Sequence, residues 1–210
     1  MINAGTRLSI FPLSGAVLFP RAYLPLHIFE TRYRAMVSDA LARDQRIAMI
    51  QPRPTQPDGA ERPLLFDVGC VGKIAQVEAL PDGRFNLVLE GLTRFRLLRE
   101  MEVPTAFRQI EAGFDGFDDE EDALAALPSV MRAEIEREAR SFAAMRGFSV
   151  DWEEVGRLDD EALVNGIAQV VPFDVATKQA LLEAPTIVDR ADLLVDFLRF
   201  FGNGTNETLQ

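Results

Sequence analysis

His27 and Glu30 stand three residues apart, a spacing that puts both on one face of a helix. One imidazole and one carboxylate fall short of the three protein ligands a catalytic zinc needs, and His27 is the single histidine of the chain. The pair reads as a polar contact at a strand-to-helix corner. Cys70, the single cysteine, lies in the apolar run Val68-Gly69-Cys70-Val71. A thiol there behaves as a small inert hydrophobe, and no disulfide can form within the chain. Asp115, Asp118, Asp119, Glu120, Glu121 and Asp122 gather carboxylates. A calcium loop of EF-hand type needs oxygens at positions 1, 3 and 5 and a glycine at 6. Asp115-Gly116-Phe117-Asp118 breaks that order, so the cluster reads as the solvated start of a helix. Gly69 and Gly72 sit inside a strand-like run and make no phosphate cradle.

A phosphate loop ends in Gly-Lys followed by Ser or Thr. The only lysines are Lys73, followed by Ile74, and Lys178, followed by Gln179, and neither fits. A Ser–Lys dyad would have to use one of the same two. Glu90, Arg94 and Arg96 are a different case. A guanidinium fork suits a carboxylate, so Glu90 is expected to receive Arg94 across a turn at Gly91 and lock a barrel; alternatively one of the arginines faces a binding groove. Glu30 and Arg32 divide in the same way. No catalytic residue, metal or cofactor is assigned.

These residues need elements to hold them. At 210 residues and 23.4 kDa, the chain is long enough for one large or two small domains with a core that needs no staples. A composition of 48% hydrophobic and 26% charged residues is that of an ordinary globular protein. The net charge of −11 disfavours nonspecific binding to nucleic acid or anionic membrane. Residues 1–112 hold 14 Lys and Arg against 12 Asp and Glu, net +2, whereas residues 113–210 hold 8 against 21, net −13. The asymmetry marks two regions with different surfaces. The N-terminus lacks the pattern of a secretory signal, and no apolar run approaches the length of a membrane span, so the chain reads as cytoplasmic.

Leu8–Leu13 reads as a strand that pairs on one side only at Pro12. Leu18-Phe19-Pro20 and Leu24-Pro25-Leu26 read as extended pieces, because a residue before proline is pushed out of the helical region. Phe29, Tyr33, Met36, Val37, Ala40 and Leu41 recur at helical spacing and predict a helix over 29–43. A buried strand follows at 47–50, and the prolines of 51–63 predict a mobile loop. Val68–Glu78 and Phe85–Gly91 flank Asp82-Gly83 as a hairpin with a primed turn. Further strands are expected at 94–98 and within 103–112. Short strands at this spacing with one helix suggest a closed or half-closed β-barrel. Past Gly113 the pattern becomes helical, over about 128–146, 160–170, 174–183 and 187–201, with Gly147 as a stop and Asp174 as an N-cap. The fold class is α+β, with a β subdomain over 1–112, a helical subdomain over 113–201 and a frayed, disordered tail over 202–210.

Several blocks carry a resemblance. Phe11-Pro12-Leu13, Val17-Leu18-Phe19-Pro20 and Leu24–Tyr33, then Val68–Ile74, then Leu80–Gly83 with Leu89–Arg96, resemble in order and spacing the N-terminal domain of Lon proteases. Together they span residues 8–112, and Pro172-Phe173 with Lys178–Glu183 is similar to the closing helices of stand-alone members. The resemblance implies a PUA-like β pseudo-barrel backed by a C-terminal α-helical bundle. It also implies a protein that grips unfolded or extended polypeptides without the ATPase and protease domains, with a separate protease or unfoldase as a possible collaborator. Such a segment would add to an exposed strand edge or lie between barrel and helices. The candidate contacts are Leu24, Leu26, Phe29, Arg32, Tyr33, Arg94 and Arg96. The alternative is a small-molecule or RNA-binding PUA-like module, which rests on fold analogy; the near absence of lysine and the small charge of 1–112 speak against nucleic acid.

Overall fold

The structure, a computed structural model, describes residues 5–54, 62–117, 119 and 126–203. Six strands come first: β1 (Thr6–Pro12), β2 (Tyr23–Ile28), β3 (Arg46–Pro52), β4 (Leu65–Ala79), β5 (Phe85–Met101) and β6 (Gln109–Gly113), with helix α1 (Thr31–Leu41) between β2 and β3. Helices follow: α2 (Ser129–Arg146), α3 (Trp152–Gly156), α4 (Asp160–Val170), α5 (Val175–Glu183) and α6 (Ile187–Asn203). The described residues divide into two compact units. Phe173–Leu182 joins the residues up to Phe117 in the first, and the remaining helical residues form the second. The segment 173–182 thus packs within the β unit, although its sequence groups it with the helices of 113–201. Among the described residues no helix is long and apolar enough to cross a membrane.

The first unit is a mixed sheet in the order β2-β5-β4-β3-β1-β6, and β6 returns to pair with β5. Only β1 and β3 run parallel. β5 makes the closure possible. Its first residues pair with β2, from Phe85 opposite Ile28 to Glu90 opposite Tyr23, and its last pair with β6, from Arg96 to Met101. Register shifts, with Leu92 extra on β5 and Ala75 extra on β4, bend the β4–β5 ladder, as bulges do. Ile10, Ala48, Ile50, Val71, Phe95, Ile110 and Ala112 fill the interior of the ring. Pro12 pairs with β3 alone, at Ile50, as its missing amide requires. At Gly91 a side chain would run into the carbonyl oxygen of Phe19; there Arg21 donates to the Gly91 carbonyl at 2.8 Å and the Gly91 amide to Ala22 at 2.9 Å.

α5 lies on this sheet through a buried polar chain. The Gly15 amide donates to Gln51 Oε1 at 3.1 Å. Gln51 Nε2 donates to the Val175 carbonyl and to Gln179 Oε1, both at 3.1 Å, and Gln179 Nε2 donates to the Val68 carbonyl at 3.0 Å. Asp174 caps the helix by accepting from the Thr177 amide at 2.7 Å. In the second unit, Ile135, Phe142, Leu163, Leu194 and Leu198 are buried. α2 ends on Gly147 in the left-handed region, φ 69°, as expected of that stop. Arg132 Nη1 reaches Asp160 Oδ1 at 2.6 Å, and Arg199 bonds Glu134 and Glu138.

Three local expectations are corrected, and one short helix has no expectation to set against it. The runs at 85–91 and 94–98 are one strand, β5, so no turn exists at Gly91. The hairpin turn is not primed: the Gly83 amide donates to the Leu80 carbonyl at 2.9 Å, and only Gly83, at φ 78°, is left-handed. Pro81 presets the first central residue of an ordinary turn. α1 starts at Thr31, which leaves Phe29 outside the helical stripe and 61% exposed. α3 is too short for a periodic signal; Asp151 starts it by accepting from the amides of Glu153 and Glu154. Parts of the expected loop at 51–63, the acidic segment at 113–122 and the tail beyond 203 lie outside the described residues.

Replacing Gln179 by Leu removes one acceptor and one donor from the Gly15–Gln51–Gln179–Val68 chain and strands a buried Gln51 N–H. The expected loss is about 2–3 kcal/mol of unfolding free energy, read as a lower urea midpoint at unchanged slope. An unchanged midpoint would show that the chain contributes nothing to docking α5.

Candidate functional site

Strand β2 alternates cleanly. Leu24 and Ile28 are buried and Leu26 is half-buried, while Tyr23, Pro25 and His27 point outward and are exposed. Among the described residues β2 pairs only with β5, which leaves its other edge without a strand partner there. Cross-strand register sets His27 opposite Asn86 and Asn86 opposite Glu78. His27 Nδ1 lies 2.7 Å from Asn86 Oδ1, and Asn86 Nδ2 donates to Glu78 Oε2 at 2.9 Å. Arg84 Nη1 stands 3.3 Å from His27 Nε2, an arrangement that fits the tautomer protonated on Nδ1. Where β2 meets β5 and the end of β4, a shallow depression of about 520 Å³ is lined by Leu26, Gln76, Val77 and Val88 among others. Tyr23, 58% exposed, stands at one end of β2 and Phe29 just past the other. His27 and Phe29 stack loosely, ring centres 6.2 Å apart.

The seven sequence-derived contacts separate into three places. Leu26 and Phe29 belong to the β2 surface, with Leu24 buried beneath it. Tyr33 is buried in a tilted contact with Phe11, centroids 4.3 Å apart, and Arg32 lies over its ring at 4.6 Å. Both border a small pocket of about 130 Å³ with Phe107 and Arg108. Arg94 is fully buried and donates Nη1 to the Leu182 carbonyl at 3.2 Å. Its guanidinium stacks on Phe117 at 4.4 Å, and exposed Arg96 stacks on the same ring at 4.9 Å. Because β5 is continuous, Glu90 and Arg94 are four residues apart along one strand. Leu24, Tyr33 and Arg94 are thus buried.

Tyr23 and Pro25 are absent from the expected contacts, and His27 reads only as a corner contact, yet all three face outward on β2. The signal was present. If Leu24, Leu26 and Ile28 point inward, the alternate residues must point out. Glu30 bonds Arg32 at 2.8 Å, while the described partners of His27 are Asn86 and Arg84, so the expected His27–Glu30 corner contact is not made. Among the described residues no three of His, Cys, Asp and Glu gather closely enough to hold a metal ion.

Comparison with known proteins supplies a context. The family model of the ATP-dependent protease La (LON) substrate-binding domain matches residues 7–199. Lon protease of Xanthomonas oryzae pv. oryzae is 27% identical over 193 residues, covering 90% of this chain and 22% of that protein. A Lon protease of Anaeromyxobacter dehalogenans is 29% identical over 196 residues, covering 91% and 23%. The chain thus spans less than a quarter of the length of these relatives. Among solved structures, the Lon N-terminal domain protein from Xanthomonas campestris superposes with a TM-score of 0.66 at 20% identity, over 91% of this chain and 98% of that one. The N-terminal domain of a Mycobacterium avium complex Lon protease gives 0.65 at 19%, over 92% and 98%. At these identities the likeness of structures shows the fold.

Electrostatics also separates Tyr33 from the exposed surface. Burial pushes its phenol above the ordinary tyrosine value, and the Arg32 guanidinium offsets part of that rise. Folding therefore favours the neutral phenol. Its contribution is present below the unfolded value of about 10 and is lost as pH rises through the higher folded one. The chain has two tyrosines. Ultraviolet titration of the protein against Tyr33→Phe is expected to isolate one phenolate transition above pH ~10. A difference transition at or below that value would place the Tyr33 ring in water.

Proposed function

This chain belongs to the family of the ATP-dependent protease La (LON) substrate-binding domain, and on that premise we propose that it is a non-catalytic holder of polypeptides. We read its closed sheet as a PUA-like β pseudo-barrel and its place of action as the cytoplasm. An extended or unfolded segment lies along β2, with apolar side chains against Tyr23, Pro25 and Phe29 and main chain against the open edge. A protease or unfoldase, on the same chain or apart from it, receives what is held. The carrying observation is that β2 pairs on one side only and presents large apolar groups at both ends.

Pro25 supports the same reading. It has no amide to offer, so an incoming strand pairs over a short register and the edge does not seed open-ended sheet growth. Leu26 lies within reach of such a segment, while Arg32 and Arg96 stand as candidate contacts elsewhere on the β unit. In the 210 residues neither lysine stands in a phosphate-loop motif, which fits holding rather than hydrolysing.

The test is binding of a permanently unfolded, carboxymethylated polypeptide to the protein and to the double variant Tyr23→Ser/Phe29→Ser. Both residues are exposed, so folding should survive and affinity should fall about tenfold, a hot-spot loss near 1.4 kcal/mol. Equal binding by the variant would remove β2 as the site. Tighter binding of single-stranded RNA, with a steep salt slope, would replace the reading with the nucleic-acid one.

A further inference from the structure

The second unit contains a pocket that the polypeptide-holding role leaves unused. It measures about 660 Å³, within the range of small-molecule sites. α2, α3 and α4 build most of it, with Phe142, Phe148, Trp152, Leu163 and Ile167 among its walls, and the Ser149 hydroxyl and the Trp152 indole N–H are the polar side-chain groups of its lining residues. Its rim is unusually apolar for a surface: Phe148 is 48% exposed and Val170 75%.

Charge at the rim narrows the ligand. This half of the chain carries net −13, yet two arginines of α2 flank the pocket without a carboxylate. Arg140 lies over the Trp152 ring at 4.5 Å and Arg146 over Phe142 at 5.4 Å. Among the described residues neither makes an ion pair, whereas Arg132, Arg137, Arg157 and Arg199 of the same unit each do. The interior excludes ligands with buried polar groups. A peptide main chain laid in it would find two polar side-chain groups, the Ser149 hydroxyl and the Trp152 N–H, and each unpaired amide is costly. What fits is a hydrocarbon with its single charged group at the mouth.

We propose that this pocket binds an aliphatic monocarboxylate, its chain against Phe142, Trp152, Leu163 and Ile167 and its carboxylate beside Arg140. Gly166 offers a clean way to close the site. It lines the pocket on α4, its φ is not left-handed, and an added Cβ would meet nothing within 4 Å. A leucine there fills the cavity without displacing backbone and improves helix propensity.

Trp152 is the only tryptophan, so its emission reports on this pocket alone. Titration of the full chain with dodecanoate, below its micellar range, is expected to give a saturable change with one site per chain. Gly166→Leu should keep the melting temperature and weaken binding at least about tenfold, since the ligand loses its space. Arg140→Gln should weaken dodecanoate about threefold and leave dodecanol unchanged, the signature of one exposed charge pair. The proposal is overturned by the absence of a saturable change, by dodecanol matching dodecanoate in the unaltered protein, or by unchanged binding in folded Gly166→Leu. A response to an unfolded polypeptide but not to dodecanoate would overturn it too, in favour of an anchor for apolar side chains.

Discussion

One strand does two jobs, and the β unit depends on it. β5 runs for 17 residues, far beyond the usual strand length, and changes partners along its course. Its first half is flanked by β2 and β4 and its second half by β4 and β6. A flat strand could not serve both sets. The register shifts in the β4–β5 ladder bend it, and Gly91 admits the Phe19 carbonyl at a contact no side chain would permit. Bulges and a glycine thus turn an open sheet into one closed on itself.

Closure has a consequence for function. In the ring every strand is paired on both sides over much of its length, which removes the edges where another chain could add. What remains open is the arm formed by β2, the start of β5 and the end of β4. β2 carries the larger apolar groups there, and β4 offers Gln76 and Glu78 instead. The location of the open edge is therefore a by-product of how the sheet closes, not of any motif in β2 itself.

Much of this was legible in the residues. The β4–β5 pairing, the α1 stripe from Tyr33 to Ala40, Gly147 as a stop and Asp174 as a cap follow from local rules. Less legible were features set by distant partners. Arg94 reads as an ion-pair or groove residue, but α5 supplies the Leu182 carbonyl and Phe117 its aromatic cover, both far away in sequence. The return of 173–182 to the sheet hangs on Gln51 meeting Gln179 across 128 positions, which no periodicity encodes. The parity of β2 was recoverable, since three alternating aliphatic residues define an inner face. Leu24, an expected contact, lies on that inner face, because hydrophobicity alone does not say which face of the strand a side chain takes.

The same distinction explains why exposed apolar residues are more informative here than buried ones. Burying Leu24 or Tyr33 contributes to the fold, and burial alone says nothing about partners. Tyr23 and Phe29 gain nothing comparable from folding, because each keeps more than half of its surface in water. Among the described residues nothing covers the greater part of either ring. Pro25 between them limits how an incoming backbone can pair, so side-chain burial rather than ladder hydrogen bonding must supply most of the attraction. On the proposed reading, such a surface would tolerate many sequences and favour any segment whose apolar groups are not already buried, the property that separates an unfolded chain from a folded one.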